Sequence, residues 1–330
     1  SSVRNIAIGS GAGDGMGTLA GSIDNTFIGH DAGGGTWATA VSTYNVGIGN
    51  YVMDAAMNGA LQNVGVGYGA LSALTTGDSN VAVGKDALLA VLAGSTNSVV
   101  GRSAGAALTS GGGNTIMGQG AGLTTTDVDN TVIIGKDAGI ADMTNAADGT
   151  VAIGKSAGAA ITSGGANIAI GMDAAKGITT GASNVIIGHQ AFDAAVGAEN
   201  NNIAIGEAAL GSANNDAVVG NIAIGTGAMD STGTQAIASC VDIGHQALRN
   251  AEDDADGTVA IGYQAGNALT TGAGNTAVGF QAADALTSGA YNTAIGYSAL
   301  GAGNHADTDH NTAVGYNAGV AITEGHSCLL

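Results

Sequence analysis

Proline is absent from this chain, and only 3% of its residues are aromatic. An ordinary globular core takes much of its buried area from aromatic side chains, so a core of that kind is excluded. Glycine is abundant, at 59 of 330 residues, but without proline it does not indicate collagen. A hydrophobic content of 45% is too high for a disordered chain. These features favour a tightly wound, repetitive architecture filled with small side chains.

Basic residues are also scarce. Seven Lys and Arg stand against 26 Asp and Glu, which gives a formal net charge of −19. A protein that binds nucleic acid or an anionic membrane surface needs a basic patch, and no run of about 18 apolar residues is present to form a transmembrane helix. We therefore expect neither nucleic-acid binding nor membrane insertion.

Residue patterns typical of catalytic or metal sites are missing as well. The two cysteines, Cys240 and Cys328, form no CxxC or His/Cys cluster. The glycine-rich strings lack the Lys-Ser/Thr ending of a phosphate-binding loop, and no Ser/His/Asp arrangement or recurring carboxylate pair stands out. We therefore predict that the protein is not an enzyme, with no catalytic residues and no cofactor.

A short repeat runs along the whole chain. A pentapeptide close to Asn-Thr-Ala-Ile-Gly occurs eighteen times, with 17 to 20 residues between successive glycines. The repeat glycines are Gly9, Gly29, Gly49, Gly67, Gly84, Gly101, Gly118, Gly135, Gly154, Gly171, Gly188, Gly206, Gly225, Gly244, Gly262, Gly279, Gly296 and Gly315. Repeats of this length indicate a solenoid. We predict an all-β fold over residues 1–330, a single repeat domain that forms a parallel β-solenoid or β-roll of about 18 coils.

The aligned repeats form columns that suggest a role for each residue type. Ile, Val or Met precedes the glycine in every copy, and Ala stands three residues after it in all copies except that of Val52. The period of two predicts a short strand. We expect the β-branched residues to form an aliphatic ladder in the interior, with Asn, Ala and Gly on the opposite face. The glycine should mark a bend that requires positive φ or leaves no room for a Cβ atom.

Asparagine stands four residues before the glycine in fourteen copies, which predicts a stacked amide ladder at one corner of the coils. The exceptions are Thr131, Thr150, Cys240 and Thr258. The predicted ladder comprises Asn5, Asn25, Asn45, Asn63, Asn80, Asn97, Asn114, Asn167, Asn184, Asn202, Asn221, Asn275, Asn292 and Asn311. The coil of Cys240 also carries Asp242 in place of a small residue, which indicates either a contact between chains or a relaxed copy of the repeat.

Two units of the sequence carry a resemblance to known fibres. Asn-Thr-Ala-Ile-Gly-Tyr-Ser-Ala-Leu at 292–300 and Asn-Thr-Ala-Val-Gly-Tyr-Asn-Ala-Gly at 311–319 resemble the head repeats of YadA-like trimeric autotransporter adhesins. They are more similar still to Asn-Thr-Ala-Val-Gly-Tyr-Gln-Ala repeats of bacteriophage tail fibres and related marine bacterial surface proteins. The resemblance covers essentially the whole chain, although the adhesin repeat is shorter. It implies a parallel β-roll, usually trimeric, that is exported or carried on a virion and touches host surfaces.

The expected function follows from the repeat and from this resemblance. Because Ala side chains bury little apolar area, we expect chains to associate laterally, and the resemblance implies that they do so as an intertwined or laterally packed homotrimer. We expect the shaft or head of a phage tail fibre or bacterial surface adhesin, located outside the cell, at its surface or on a virion. Its partners would be further copies of itself and a host-surface glycan or protein. Since repeats begin almost at once, at Asn5, we expect a fragment of a longer fibre protein.

Two other functions remain open. The chain could be the subunit of a self-assembling extracellular filament, because the ends of a solenoid present open strand edges. An ice-binding solenoid is less favoured, because Thr occupies the strand in only five copies. These residues are Thr26, Thr115, Thr276, Thr293 and Thr312.

The column directly after the glycine supplies the candidate surface site. Its last four members are aromatic, in a chain with few aromatic residues: Tyr263, Phe280, Tyr297 and Tyr316. An exposed stripe of this kind could stack on sugar rings or anchor a partner. Packing against a neighbouring chain is the favoured interpretation.

Acidic residues cluster in the longer copies, at Asp127 and Asp129, at 252–254 with Asp256, and at Asp307 and Asp309. Ca²⁺ prefers oxygen-rich loops of this kind. None of the clusters matches a known calcium-binding motif, so solvated loops are the favoured interpretation and Ca²⁺ the less favoured one.

Overall fold

The computed structural model describes residues 4–18, 21–37, 39–252, 254–301, 308–322 and 325–330. The chain divides into two compact units, Ser1–Ala166 and Asn167–Leu330, and the same repeat continues in both. Each repeat supplies one parallel strand of three residues, which confirms the predicted all-β, parallel β-solenoid. Among the described residues, helical structure is limited to two 3-10 turns, at Asp14–Thr18 and Asn145–Ala147.

Within the described residues, each unit contains nine strands. Those of the first unit are β1 (Ile6–Ile8), β2 (Thr26–Ile28), β3 (Val46–Ile48), β4 (Val64–Val66), β5 (Val81–Val83), β6 (Ser98–Val100), β7 (Thr115–Met117), β8 (Val132–Ile134) and β9 (Val151–Ile153). Those of the second are β10 (Ile168–Ile170), β11 (Val185–Ile187), β12 (Ile203–Ile205), β13 (Ile222–Ile224), β14 (Val241–Ile243), β15 (Val259–Ile261), β16 (Thr276–Val278), β17 (Thr293–Ile295) and β18 (Thr312–Val314).

The register between consecutive strands of a unit is constant. Ala82 in the middle of β5 pairs with Val99 in the middle of β6, and Ala204 of β12 pairs with Ala223 of β13. Because side chains alternate along a strand, this register stacks every column of the repeat into a continuous row.

From β2 to β18, the interior of the coils is lined by the middle residue of each strand, whereas Ala7 in the terminal strand β1 is exposed. Ala82, Ala152 and Ala204 are fully buried, whereas Val81 and Val83, which flank Ala82, are 38% and 36% exposed. The predicted interior aliphatic ladder was therefore wrong, because the β-branched rows point outward and the Ala side of the strand points inward.

Side-chain volume explains this reversal. Large side chains from the turn segments, such as Leu71, Leu88 and Leu108, are fully buried and occupy the interior. They leave room for only a small residue at most strand centres. Where Phe27 fills that position, two of the residues around its ring are glycine, and a Cβ on Gly33 or Gly47 would lie 2.8 or 2.7 Å from the ring.

The repeat glycines form the bend after each strand. Their φ values lie between +129° and +145°, a region that side chains disfavour. A Cβ on Gly84 would lie 2.5 Å from the carbonyl oxygen of Gly101 in the next coil. Both predicted reasons for glycine, its positive φ and the lack of space, are confirmed.

Candidate functional site

The outward side of the strands forms an apolar surface, which we call the aliphatic face. It consists of the first and third residue of every strand. In the second unit, all eighteen of these positions are β-branched, fifteen of them Val or Ile and three Thr. In the first unit only Ser98 and Met117 depart from the pattern. Outward strand positions in both units thus lack any charge, although the chain carries 33 charged side chains.

Exposure varies along this face, where most side chains are half-buried and some are more exposed. Ile48, Ile243 and Ile295 are 41%, 37% and 40% exposed, and Val314 is 57% exposed. Monomeric soluble proteins rarely present large contiguous apolar patches, and those that exist commonly mark contact surfaces. The outward β-branched rows therefore form a candidate association surface, whereas the sequence analysis had placed these residues in the interior.

Asparagine side chains lie inside the coils, in a row that we call the Asn ladder. Asn80 is representative: its Nδ2 donates to Asn63 Oδ1 at 3.0 Å and to the Gly94 carbonyl at 2.8 Å. Its own Oδ1 accepts the backbone N–H and the Nδ2–H of Asn97, at 3.1 and 3.0 Å. Of the fourteen predicted members, all except the half-buried Asn5 are buried. The Asn ladder is thus a structural element of the interior and not a binding surface.

Cys240 interrupts the Asn ladder in the second unit. Its backbone N–H still donates to Asn221 Oδ1 at 3.0 Å, and its thiol donates to the Ala255 carbonyl at 3.3 Å. Burial raises the pKa of this thiol to about 12, with a further contribution from the nearby Asp242. The thiol is therefore protonated and unreactive at neutral pH.

Asp242 is the most anomalous residue of the interior. It stands at the centre of β14 between Ala223 and Ala260 and is fully buried. Neither carboxyl oxygen has a hydrogen-bond partner. Burial alone raises the pKa of this carboxyl well above its ordinary value. Because the side chain points inward, the alternative of a contact between chains does not apply to Asp242.

The four residues of the predicted aromatic stripe lie together on the surface of the second unit. Ring centroids of Tyr263 and Phe280 are 5.0 Å apart, those of Phe280 and Tyr297 5.1 Å, and those of Tyr297 and Tyr316 5.2 Å. The rings are stacked, with interplanar angles of 5° to 18°. His245 continues the row, stacked on Tyr263 at 5.3 Å. We call these five residues the aromatic stack.

The sequence reading missed His245 as a member of the stack, although it belongs to the same column of the repeat. It also missed an adjacent row of amides. Gln264 Nε2 donates to Gln246 Oε1 at 3.0 Å, and Gln281 Nε2 donates to Gln264 Oε1 at 3.2 Å. Constant register explains both rows, because any residue type that recurs in one column meets its own kind in the next coil.

Aromatic residues of the first unit are arranged differently. His30, Tyr51 and Tyr68 meet edge to face, with centroids 5.3 and 5.5 Å apart. Lys85 Nζ lies 5.6 Å from the Tyr68 ring centroid, within the range of a cation–π contact. His30 and Tyr68 directly follow a repeat glycine, whereas Tyr51 stands two residues after one. Because the rings come from two columns of the repeat, they do not form a continuous stack.

Several of the acidic residues considered as Ca²⁺ ligands have structural partners. Asp129 Oδ1 accepts the Gly112 backbone N–H at 2.6 Å. Asp256 and Asp309 likewise each accept a backbone N–H from a preceding coil, at 2.7 Å. These carboxylates therefore support the turns between coils.

Asp253 and Asp307 of the predicted clusters lie outside the described residues. Elsewhere in the part of the chain that the structure describes, no three His, Cys, Asp or Glu side chains are grouped so that they could hold a metal ion. None of the helical segments within the described ranges is long and apolar enough to cross a membrane.

The chain was compared with known protein families, curated proteins and solved structures. No family model, no curated protein and no solved structure matches the chain.

Proposed function

We propose that this chain is a structural, non-enzymatic fibre protein whose copies associate laterally through the aliphatic face. The observation that carries the proposal is the unbroken pair of outward β-branched rows, from Ile168 to Val314 in the second unit, without a charged residue. A protein of net charge −19 that stays monomeric has no reason to keep every charge off one surface.

The size of the face fits this role. At about 4.8 Å per strand, the nine strands of a unit make a surface about 43 Å long and, two side chains wide, about 10 Å across. Each unit then offers about 430 Å² per copy, about half of the roughly 800 Å² that each partner buries in a stable complex, so the faces of both units are needed for stable association. Lateral association would thus supply the apolar burial that an Ala-lined interior lacks.

The biological setting is proposed from the repeat itself. Units such as 292–300 and 311–319 resemble those of phage tail fibres and trimeric adhesin heads. We therefore propose a homotrimeric shaft or head, outside the cell, at its surface or on a virion, that contacts a host-surface glycan or protein. The acidic surface supports this setting, because like charge keeps neighbouring fibres apart.

Mass in solution, together with electron microscopy of the same sample, tests the proposal. The parent chain is expected to form a discrete oligomer, and the double variant Ile205→Lys/Ile224→Lys a folded monomer, because two charges on the face would be buried without partners. The matched control, Ser231→Lys/Thr234→Lys, adds the same charge on exposed turn residues and should leave the oligomer intact.

Each other result has a defined meaning. A monomeric parent, or equal dissociation of both lysine variants, would contradict lateral association through this face. Indefinite filaments would favour the filament subunit. Thermal hysteresis in dilute solution would favour ice binding, for which only Thr276, Thr293 and Thr312 stand on consecutive strands. A glycan-array screen of the intact oligomer then tests the host contact.

A further inference from the structure

The aliphatic face repeats from strand to strand, so lateral packing through it does not by itself determine the register between two copies. Shifting one copy by a single strand, about 4.8 Å, again places Val and Ile against Val and Ile. Repetitive, uniform strands are prone to slipped registers for this reason. Some feature that does not repeat along the unit must therefore select one register.

We propose that the aromatic stack fixes the register, by packing against the same stack of a second copy of this chain. The inference rests on the lateral association proposed above and adds the surface that aligns the copies. Five coils carry the stack, those of His245, Tyr263, Phe280, Tyr297 and Tyr316. The same column in the four preceding coils of the unit holds Met172, His189, Glu207 and Thr226, and the single ring among them, His189, lies beside Glu207 with Nδ1 3.7 Å from Oε1.

Position and exposure place the stack beside the aliphatic face. Each ring stands two residues after the outer aliphatic row, across the glycine bend. Tyr263 and Phe280 are each 43% exposed, Tyr297 is 46% exposed and Tyr316 is 75% exposed. The stack thus widens the apolar surface over five coils only, which is the local difference that a repeating face requires.

Ring orientation favours a second copy over a sugar. A sugar stacks on the face of an aromatic ring. Along this stack, however, the faces of Tyr263, Phe280 and Tyr297 are covered by the neighbouring rings at 5.0 to 5.3 Å. The edges remain exposed, and edges pack well against other aromatic groups in T-shaped contacts. A copy in register presents five such groups at the same spacing.

The expected selectivity follows from counting rings. A slip of one coil takes one ring of each copy out of the contact and places it opposite a non-aromatic residue such as Thr226. One aromatic pair in a protein contact corresponds to roughly a 2- to 12-fold difference in population. Slips of two or three coils are disfavoured by the corresponding powers of that factor.

Disulfide cross-linking between labelled copies measures the register directly. Full-length chains with Ile205→Cys are mixed with isotopically labelled chains with Ile224→Cys, both in a Cys328→Ser background, and the assembled sample is oxidised. These positions are one coil apart on the aliphatic face. Same-residue cross-links report aligned copies, and 205-to-224 cross-links report a slip of one coil, because a disulfide requires close Cα atoms.

Removal of two rings should change this ratio. In Phe280→Ser/Tyr297→Ser chains, aligned copies keep three ring pairs and copies slipped by one coil keep only one, against five and four in the parent. The ratio of slipped to aligned cross-links is therefore expected to fall by roughly 2- to 12-fold, while the mass of the assembly stays the same. The matched control is Tyr44→Ser/Tyr291→Ser, which removes two exposed tyrosines outside the stack. Serine already occurs in both of the columns concerned. Ser10 directly follows a repeat glycine, as Phe280 and Tyr297 do, and Ser79 directly precedes an asparagine of the Asn ladder, as Tyr44 and Tyr291 do.

The two proposals fail in different ways. A monomeric parent would overturn lateral association and the register inference together. An assembled parent whose cross-link ratio is unchanged by the loss of Phe280 and Tyr297, or changed equally by the control, would overturn the register inference alone. Unchanged register combined with lost glycan binding would assign the stack to a glycan.

Discussion

At the residue scale, the Asn ladder shows how one side chain connects three coils. Asn80 donates to the coil before it and to the turn after it, and it accepts two N–H groups from the next coil. Buried backbone groups need partners, and the interior otherwise offers only apolar side chains. Asparagine is therefore retained because it satisfies polar backbone groups at a corner that water does not reach.

Replacing one member of the Asn ladder should destabilise its coil. In Asn80→Ala, the buried backbone N–H of Asn97 and carbonyl of Gly94 lose their partners. The expected cost is about 2–6 kcal/mol for the two groups, since each unsatisfied buried group costs about 1–3 kcal/mol. Chemical denaturation of the Ile205→Lys/Ile224→Lys monomer background measures it without the contribution of assembly.

Asn80→Thr is the matched comparison for this prediction. Thr131 shows how threonine fits the position, since its hydroxyl donates to Asn114 Oδ1 at 2.7 Å. The threonine variant should therefore lose less stability than the alanine variant. Equal losses would mean that the hydrogen bonds of the Asn ladder contribute little.

Asp242 should make stability depend on pH, and Asp242→Ala should remove that dependence. The folded state raises the pKa of this carboxyl well above 3.8, so it holds the proton more tightly than the unfolded state. Its contribution is most favourable below pH 3.8 and is lost as pH rises from there towards the raised folded pKa. Alanine is the residue of the neighbouring coils, at Ala223 and Ala260.

Thermal unfolding between pH 3.5 and 8 tests this expectation. The advantage of Asp242→Ala over the parent should be smallest at the acidic end and grow with pH, to at least about 1–3 kcal/mol, the cost of a buried polar group without a partner. A constant difference across this range would contradict the assignment.

At the element scale, the bend after each strand depends on backbone geometry that only glycine supplies. The residues two and four positions after that glycine also take positive φ in many coils, as at Asp86 (56°) and Leu88 (49°). Residues other than glycine rarely adopt positive φ values. Stacking of similar turns compensates for this local cost through hydrogen bonds between coils, as from the Asp86 N–H to the Tyr68 carbonyl and from the Leu88 N–H to the Ala104 carbonyl.

Gly84→Ala is expected to disrupt the coil more than an alanine at an open glycine. Its Cβ would meet the Gly101 carbonyl oxygen at 2.5 Å, at a φ of +139°, which should cost at least about 3 kcal/mol. Gly257→Ala is the control, with φ +69° and no heavy atom within 4 Å, for an expected cost of about 1–2 kcal/mol. Denaturation midpoints of the two variants in the same background give the comparison, and equal losses would contradict the steric argument.

Sequence reasoning predicted the strand, the glycine bend and the Asn row, because each recurs at fixed spacing. It assigned the two sides of the strand in reverse. The reason is that Val and Ile are usually buried, and the volume of Leu71 or Leu88 from the turn cannot be read from the strand itself. His245 was overlooked because its column contains many residue types, and only the register brings it onto Tyr263.

At the scale of the whole molecule, apolar and charged residues are separated by the coil geometry. Outward strand positions are uncharged and mostly apolar, while the 26 Asp and Glu and 7 Lys and Arg lie outside the strand positions of the aliphatic face. The Ile205→Lys/Ile224→Lys variant is therefore expected to change the association of copies. It should leave the fold of the single chain intact, since the aliphatic face contributes no residue to the coil interior.

The constant register also determines how such a chain would respond to tension. Within a unit, the hydrogen bonds between strands run from coil to coil, as from the Gly84 N–H to the Val66 carbonyl. A load along that direction acts on one junction after another, and the terminal coil detaches first. Each detachment frees 17 to 20 residues, or roughly 60 Å of extended chain. The repeat would thus lengthen the chain in nearly equal steps and dissipate mechanical work at each step, while the remaining coils keep their structure.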